Sequence, residues 1–134
     1  VDLETEKRNG NVVRGMITGG TATAVHDVAD GGLLVALTEM AMASGIGAIL
    51  DAPPEEIVPH AWWFGEDQAR YIFTVGEENL LTVLSKLKAV GVPCHVIGKT
   101  GGHDIAVEGE TPVSVKSLKA GFENWLPAYM AGKG

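Results

Sequence analysis

Apolar side chains return every three or four residues in four stretches of this chain, and β-branched or apolar clusters fill the segments between them. The clearest helical spacing is Leu80, Leu81, Leu84, Leu87 and Val90, with Glu77 and Glu78 at its positive end and Lys86 and Lys88 near its negative end. Gly91 and Pro93 stop it. Residues 33–43 read as a helix that is apolar on nearly every face, through Leu33, Leu34, Val35, Leu37, Met40 and Met42, so it is expected to be packed from more than one side. Each fully buried leucine there contributes about 1.5–3 kcal/mol. Residues 3–18 have helical character interrupted at Asn9-Gly10-Asn11, and residues 117–130 form a terminal helix interrupted by Pro127.

Short strands are expected at residues 23–28, 46–50, 69–75, 94–98, 104–108 and 113–116. Pro53, Pro54 and Pro59 mark an irregular connection. The order is then a strand, a helix, two strands, a helix, three strands and a terminal helix. That is an α+β class, a layered mixed β-sheet with packed helices, rather than regular βαβ alternation. Residues 1–134 are read as a single domain, with no internal repeat or low-complexity linker.

Composition narrows the functional classes. At 134 residues, 46% hydrophobic and 20% charged, the chain can bury a core without disulfides or a structural metal. Cys94 has no cysteine partner within it, which fits a reduced, cytoplasmic setting. A net charge of −7 with ten scattered Lys and Arg argues against nucleic acid or an anionic membrane as partner. The apolar run over residues 31–50 is interrupted by Glu39, Ser44, Gly45 and Gly47, so it is expected to be a buried helix and strand rather than a membrane span. The chain opens on Val1 rather than Met, inside a helical pattern, which suggests a fragment of a longer polypeptide.

Several familiar motifs are incomplete. Gly98-Lys99-Thr100 would need a glycine five positions earlier to be a P-loop, and Pro93 stands there. Gly45-x-Gly47 lacks the third glycine of a dinucleotide fingerprint, since Leu50 occupies it. His26, His60, His95 and His103 show no zinc-type spacing, and no GxSxG marks a nucleophile. His26-Asp27-Val28-Ala29-Asp30-Gly31-Gly32 is more informative, because it follows a strand and opens a helix. It admits two readings. Asp30 can cap the helix after a tight glycine turn; alternatively, Gly31 and Gly32 can let a phosphate approach the helix N-terminus while Asp27 offers an oxygen to Mg²⁺. Phe64-Gly65-Glu66-Asp67-Gln68-Ala69-Arg70 is a second polar cluster, read as a surface ion pair between Glu66 and Arg70 if helical. Trp62 and Trp63 are read as core, or as cover for a groove against a neighbouring domain, which the Pro-rich connection before them favours.

His26-Asp27-Val28-Ala29-Asp30-Gly31-Gly32-Leu33, together with Gly45-Ile46-Gly47-Ala48, resembles the C-terminal domain of the aminoimidazole ribonucleotide synthetase superfamily. Lys7-Arg8-Asn9-Gly10, Phe64-Gly65-Glu66 with Arg70, Ile97-Gly98-Lys99-Thr100-Gly101-Gly102 and Trp125-Leu126-Pro127 are most similar to its formylglycinamidine ribonucleotide synthases, and the ending soon after Trp125-Leu126-Pro127 favours the short-chain type. The resemblance implies part of an ATP-dependent carbon–nitrogen ligase of purine biosynthesis. It converts formylglycinamide ribonucleotide and glutamine-derived ammonia, with ATP and Mg²⁺, into the amidine, ADP and phosphate. It also implies that the principal catalytic residues lie on N-terminal domains of the same chain, so that no catalytic residue falls here and this segment alone is inactive. Partners would be those missing domains, a glutaminase subunit and a small bridging subunit. In the family's long-chain members the position of Asp27 binds Mg²⁺ at an auxiliary nucleotide site, and the position of Ala29 is commonly serine. Ala29 brings no hydroxyl to such a site. The expected site residues are therefore Asp27 for metal and Gly31 and Gly32 for phosphate. The alternatives are a two-domain relative (aminoimidazole ribonucleotide synthetase, thiamine-monophosphate kinase, selenophosphate synthetase or the hydrogenase-maturation dehydratase) and a non-enzymatic ribonucleotide-binding module.

Overall fold

The structure, a computed structural model, describes residues 2–66 and 69–132. Along the chain run α1 (Leu3–Thr18), β1 (Ala22–Asp27), α2 (Gly32–Ser44), β2 (Ala48–Leu50), α3 (Pro59–Phe64), β3 (Tyr71–Val75), α4 (Leu80–Ala89), β4 (Gly98–Thr100), β5 (Asp104–Val107), β6 (Val113–Ser114) and α5 (Val115–Met130). The class is the mixed α+β one that the sequence pattern predicts. Two compact units divide these elements: one takes the chain up to Leu37 with Glu55–Val96, the other Thr38–Pro54 and the chain from Ile97 onward.

In the first unit β1 and β3 pair antiparallel, with Val25 opposite Phe73 and Asp27 opposite Tyr71. The ladder continues through the Val28 N–H, which donates to the Arg70 carbonyl at 2.9 Å. Two strands alone are marginal in water, so apolar side chains from the helices must supply the cohesion. Val28, Leu33, Trp63, Ile72, Val83 and Leu87 are all buried. Val83 and Leu87 lie four apart on α4 and so share one helical face.

Asp2 caps α1, its carboxylate accepting from the backbone N–H groups of Glu4 and Thr5. The Thr5 hydroxyl and N–H hold that carboxyl below its ordinary value. Contrary to the expected interruption, α1 runs unbroken through Asn9-Gly10-Asn11. A mid-helix glycine costs about 1 kcal/mol against alanine. Here tertiary contact offsets it: the Asn9 amide donates to the Ala69 carbonyl at 3.2 Å, and the Tyr71 hydroxyl lies 3.6 Å from where a Cβ on Gly10 would stand.

The second unit is built on a four-stranded mixed sheet in the order β4-β2-β5-β6. β2 and β5 are parallel, with Ile49 opposite Ala106, and the other two pairings are antiparallel. Ala48 and Leu50 are buried while Ile49 faces outward, the alternation of a strand with one covered face. Two glycines let backbones close on this strand. A Cβ on Gly98, whose φ is +149°, would fall on the Ile49 carbonyl oxygen, and one on Gly47 would meet the backbone of Asp104. Gly47 and Gly98 thus serve the sheet, and Gly98–Thr100 is β4 itself, while Gly45 stands in the turn after α2.

Several boundaries differ from the sequence expectation, β2 beginning at Ala48 rather than residue 46 and β3 at Tyr71 rather than residue 69. Residues 94–96 form no strand, because the residues that pair with β2 begin at Gly98. β6 stops at Ser114, whose hydroxyl accepts from the Ser117 N–H at 3.5 Å and starts α5 two residues before the expected point. α5 also continues through Pro127. The carbonyl that loses its N–H partner there belongs to exposed Glu123, where water can satisfy it. Lastly, α2 starts at Gly32, so Gly31 rather than Asp30 stands immediately before the helix, with Asp30 exposed in the turn. Among the described residues no helix is long and apolar enough to cross a membrane.

Gly98→Ala and Gly45→Ala form a matched test of this sheet. Gly45, at φ +73° after α2, has nothing within 4 Å of its would-be Cβ, so alanine there is expected to cost about 1–2 kcal/mol, the left-handed penalty alone. Alanine at Gly98 adds a backbone clash and is expected to cost at least about 2 kcal/mol more, read from denaturant midpoints of the two variants.

Candidate functional site

Asp27 is the last residue of β1, and the turn from Val28 to Gly31 carries the chain into α2. Around this turn the structure gathers three segments that are far apart in sequence, and each meets the stretch 64–71. The Asn9 amide of α1 holds the Ala69 carbonyl. The Val28 N–H holds the Arg70 carbonyl. The Gly31 N–H donates to Glu66 Oε1 at 2.9 Å, across 35 residues of chain. Beside it, a Cβ on Gly32 (φ +78°) would lie 2.6 Å from the backbone of Phe64. Gly32 is therefore glycine because the end of α3 presses on it.

Arg70 completes the arrangement. Its guanidinium donates to the Gly65 carbonyl at 3.3 Å and sits 5.7 Å over the Trp62 ring. The expected Glu66–Arg70 pair assumed a helical segment, but α3 ends at Phe64 and Glu66 turns instead to Gly31. Asp67 and Gln68 of that cluster lie outside the described residues. Trp63 is buried at 6% exposure and belongs to the core rather than to an open groove. Trp62 is half-buried, edge-on to Trp63 and to His95, with ring centroids 6.4 and 6.3 Å apart. Ala69 has φ +60°, a left-handed conformation costing a non-glycine residue about 1–2 kcal/mol. The contacts at Asn9 and Arg70 hold it there.

The three residues expected to bind ligand are thus neighbours, in differing states. The Asp27 carboxylate is 71% exposed, 3.6 Å from His26 Nδ1. His26 Nδ1 is 2.6 Å from the Asp27 backbone carbonyl and must carry the proton there, since a carbonyl only accepts. The Gly31 N–H already has an anionic partner, the Glu66 carboxylate. The Gly32 N–H donates to the Ala29 carbonyl at 3.2 Å. Among the described residues no three His, Cys, Asp or Glu side chains converge as a metal cage. Mg²⁺ does not require one, being commonly held by one or two carboxylates with phosphate and water oxygens. Burial pushes the Cys94 thiol up, away from the thiolate form a nucleophile needs. Glu66 and Asn9 are the residues whose roles sequence reasoning missed. Local pattern carries no signal for a hydrogen bond closed across 35 or 60 residues.

The sequence model of the family described as "AIR synthase related protein, C-terminal domain" matches residues 1–109. Curated relatives named phosphoribosylformylglycinamidine synthase subunit PurL match almost the whole chain. The relative from Nitrobacter hamburgensis is 73% identical over 133 residues, and one from Rhodopseudomonas palustris is 67% identical over the same length. Those matches take in 99% of this chain and 18% of each relative, so the chain spans about a fifth of their length. Among solved structures, PurLQS from Thermotoga maritima superposes with a TM-score of 0.74 at 18% identity, over 85% of this chain and 21% of that one. PurL of the same organism complexed with ATP gives 0.72 at 17% identity, over 84% and 21%. Thiamine-monophosphate kinase from Stenotrophomonas maltophilia gives 0.61 at 25% identity, over 72% and 34%. The fold, the turn after β1 and the match over residues 1–109 together show that this chain belongs to the family of AIR synthase related C-terminal domains.

Proposed function

We propose that these residues are the last domain of a phosphoribosylformylglycinamidine synthase, the ligase that uses ATP to amidate formylglycinamide ribonucleotide with glutamine-derived ammonia. The observation that carries this is 73% identity over 133 residues to a PurL subunit. A thiamine-monophosphate kinase reading has only 25% identity over 72% of the chain behind it. The domain is inactive alone, works in the cytoplasm, and serves an enzyme fed with ammonia by a glutaminase subunit through a small bridging subunit.

Within that enzyme, Asp27 and the Gly31-Gly32 turn are its candidate contact with Mg²⁺ and nucleotide. The exposed Asp27 carboxylate suits a hydrated Mg²⁺ whose other ligands are phosphate and water oxygens. When bound, Mg²⁺ would neutralise phosphate charge beside the turn. Ala29 supplies no hydroxyl there, so the protein's hold on phosphate falls to backbone N–H groups. The Gly31 N–H becomes available only when Glu66 releases it, because two anions cannot share one donor without strong repulsion.

Two substitutions in the full-length protein test this reading. Asp27→Asn is expected to weaken Mg–nucleotide binding at this site roughly tenfold while leaving the fold intact, as measured by calorimetric titration with Mg–ADP. Unchanged affinity would remove Asp27 from the site. Glu66→Gln removes the competing charge and is expected to tighten the same binding several-fold. A variant that binds as the parent does would mean that no phosphate reaches Gly31.

A further inference from the structure

α5 carries a single apolar stripe, and the protein buries only its beginning. Val115 is buried and Leu118 half-buried. Phe122, Trp125, Leu126, Tyr129 and Met130 continue the same face at three- and four-residue steps. These five are 56–77% exposed. Lys119 and Glu123, four apart, pair at 3.8 Å along one border of the stripe, while Ser117 and Asn124 lie on the opposite face of the helix. Trp125 and Tyr129 stack at 5.6 Å between centroids, which presents a flat aromatic surface. A helix whose outer turns rest on nothing gains little from propensity alone, since isolated helices of this length are marginal in water.

We propose that the bare half of this stripe, from Phe122 to Met130, is a docking face for another part of the same polypeptide, an apolar surface on the domains that precede this one. The inference rests on the synthase reading above. Three observations select this occupant. The chain is 18% of the length of its curated relatives, so most of each relative lies outside it. The general family match ends at residue 109, before α5, whereas the PurL relatives match over 133 residues. The stripe therefore belongs to what this chain shares with PurL subunits beyond the common domain. Size bears on the choice between a neighbour in the chain and a second copy. Taking roughly 150–250 Å² for each of the five side chains, their exposed fractions leave about 500–830 Å² bare. That reaches the roughly 800 Å² per partner of a standard complex of free molecules only at its upper bound. It suits a contact between domains of one chain, where covalent linkage supplies the effective concentration.

The test places the photo-crosslinking residue p-benzoylphenylalanine at position 122 of the full-length protein, with a second variant carrying it at position 130 and a control at Asn124, exposed on the opposite face of the helix. After irradiation, products are separated by mass and the linked peptides sequenced. The expected result is a product of monomer mass in which position 122 or 130 is joined to a residue upstream of this domain, with at least a fivefold lower yield at position 124. A product of doubled mass would assign the stripe to a second copy. Linkage to a different polypeptide, linkage only within the 134 residues, or no linkage from either position would each overturn the proposal. The intact mass of the unirradiated protein separates these failures from that of the synthase reading: a native polypeptide no longer than this chain defeats both, while a long one lacking the cross-link defeats only the docking face.

Discussion

The first unit turns on one contact, the approach of the Phe64 backbone to Gly32 at the start of α2. No side chain fits between them, so any residue larger than glycine would push the end of α3 off the helix. Once that approach is made, Glu66 falls within reach of the Gly31 N–H, and its carboxylate satisfies a donor that the helix itself leaves unpaired. The same stretch then delivers the Ala69 carbonyl to Asn9 and the Arg70 carbonyl to Val28. A short segment thus ties α1, the end of β1 and α2 together, and the left-handed Ala69 is the strain that this arrangement accommodates.

This gives the motifs on which the family resemblance rests a common physical meaning. Lys7-Arg8-Asn9-Gly10, the turn after His26-Asp27 and Phe64-Gly65-Glu66 with Arg70 look unrelated along the chain, yet they are partners in one cluster. In the second unit, Gly47 and Gly98 play the corresponding part by letting neighbouring backbones close on β2. Much of what reads as nucleotide-binding glycine in this sequence is glycine required by packing. Only Asp27 stands clear of that duty, with its carboxylate in solvent.

These contacts define what the domain presents at its surface. Its rigid clusters hold a turn and a helix start, and its last helix extends an apolar stripe beyond its own core. The Glu66 carboxylate at the α2 N-terminus also sets an electrostatic condition on that surface, since an incoming phosphate must compete with a charge already in place.

The sequence by itself determined most of the element types, because apolar spacing on α2 and α4 and the β-branched runs of β1 and β3 report which face must leave water. It also determined the class and the family, and it marked Asp27, Gly31 and Gly32 as the turn of interest. Tertiary structure alone decided what those glycines are for, since the atoms that press on Gly32 and bond Gly31 come from more than thirty residues away. It likewise carried α1 through Asn9-Gly10-Asn11, where local propensity argued for a break and a distant carbonyl overruled it. Periodicity reports how each residue prefers to meet solvent; which backbone lies against which glycine is settled only when the chain closes on itself.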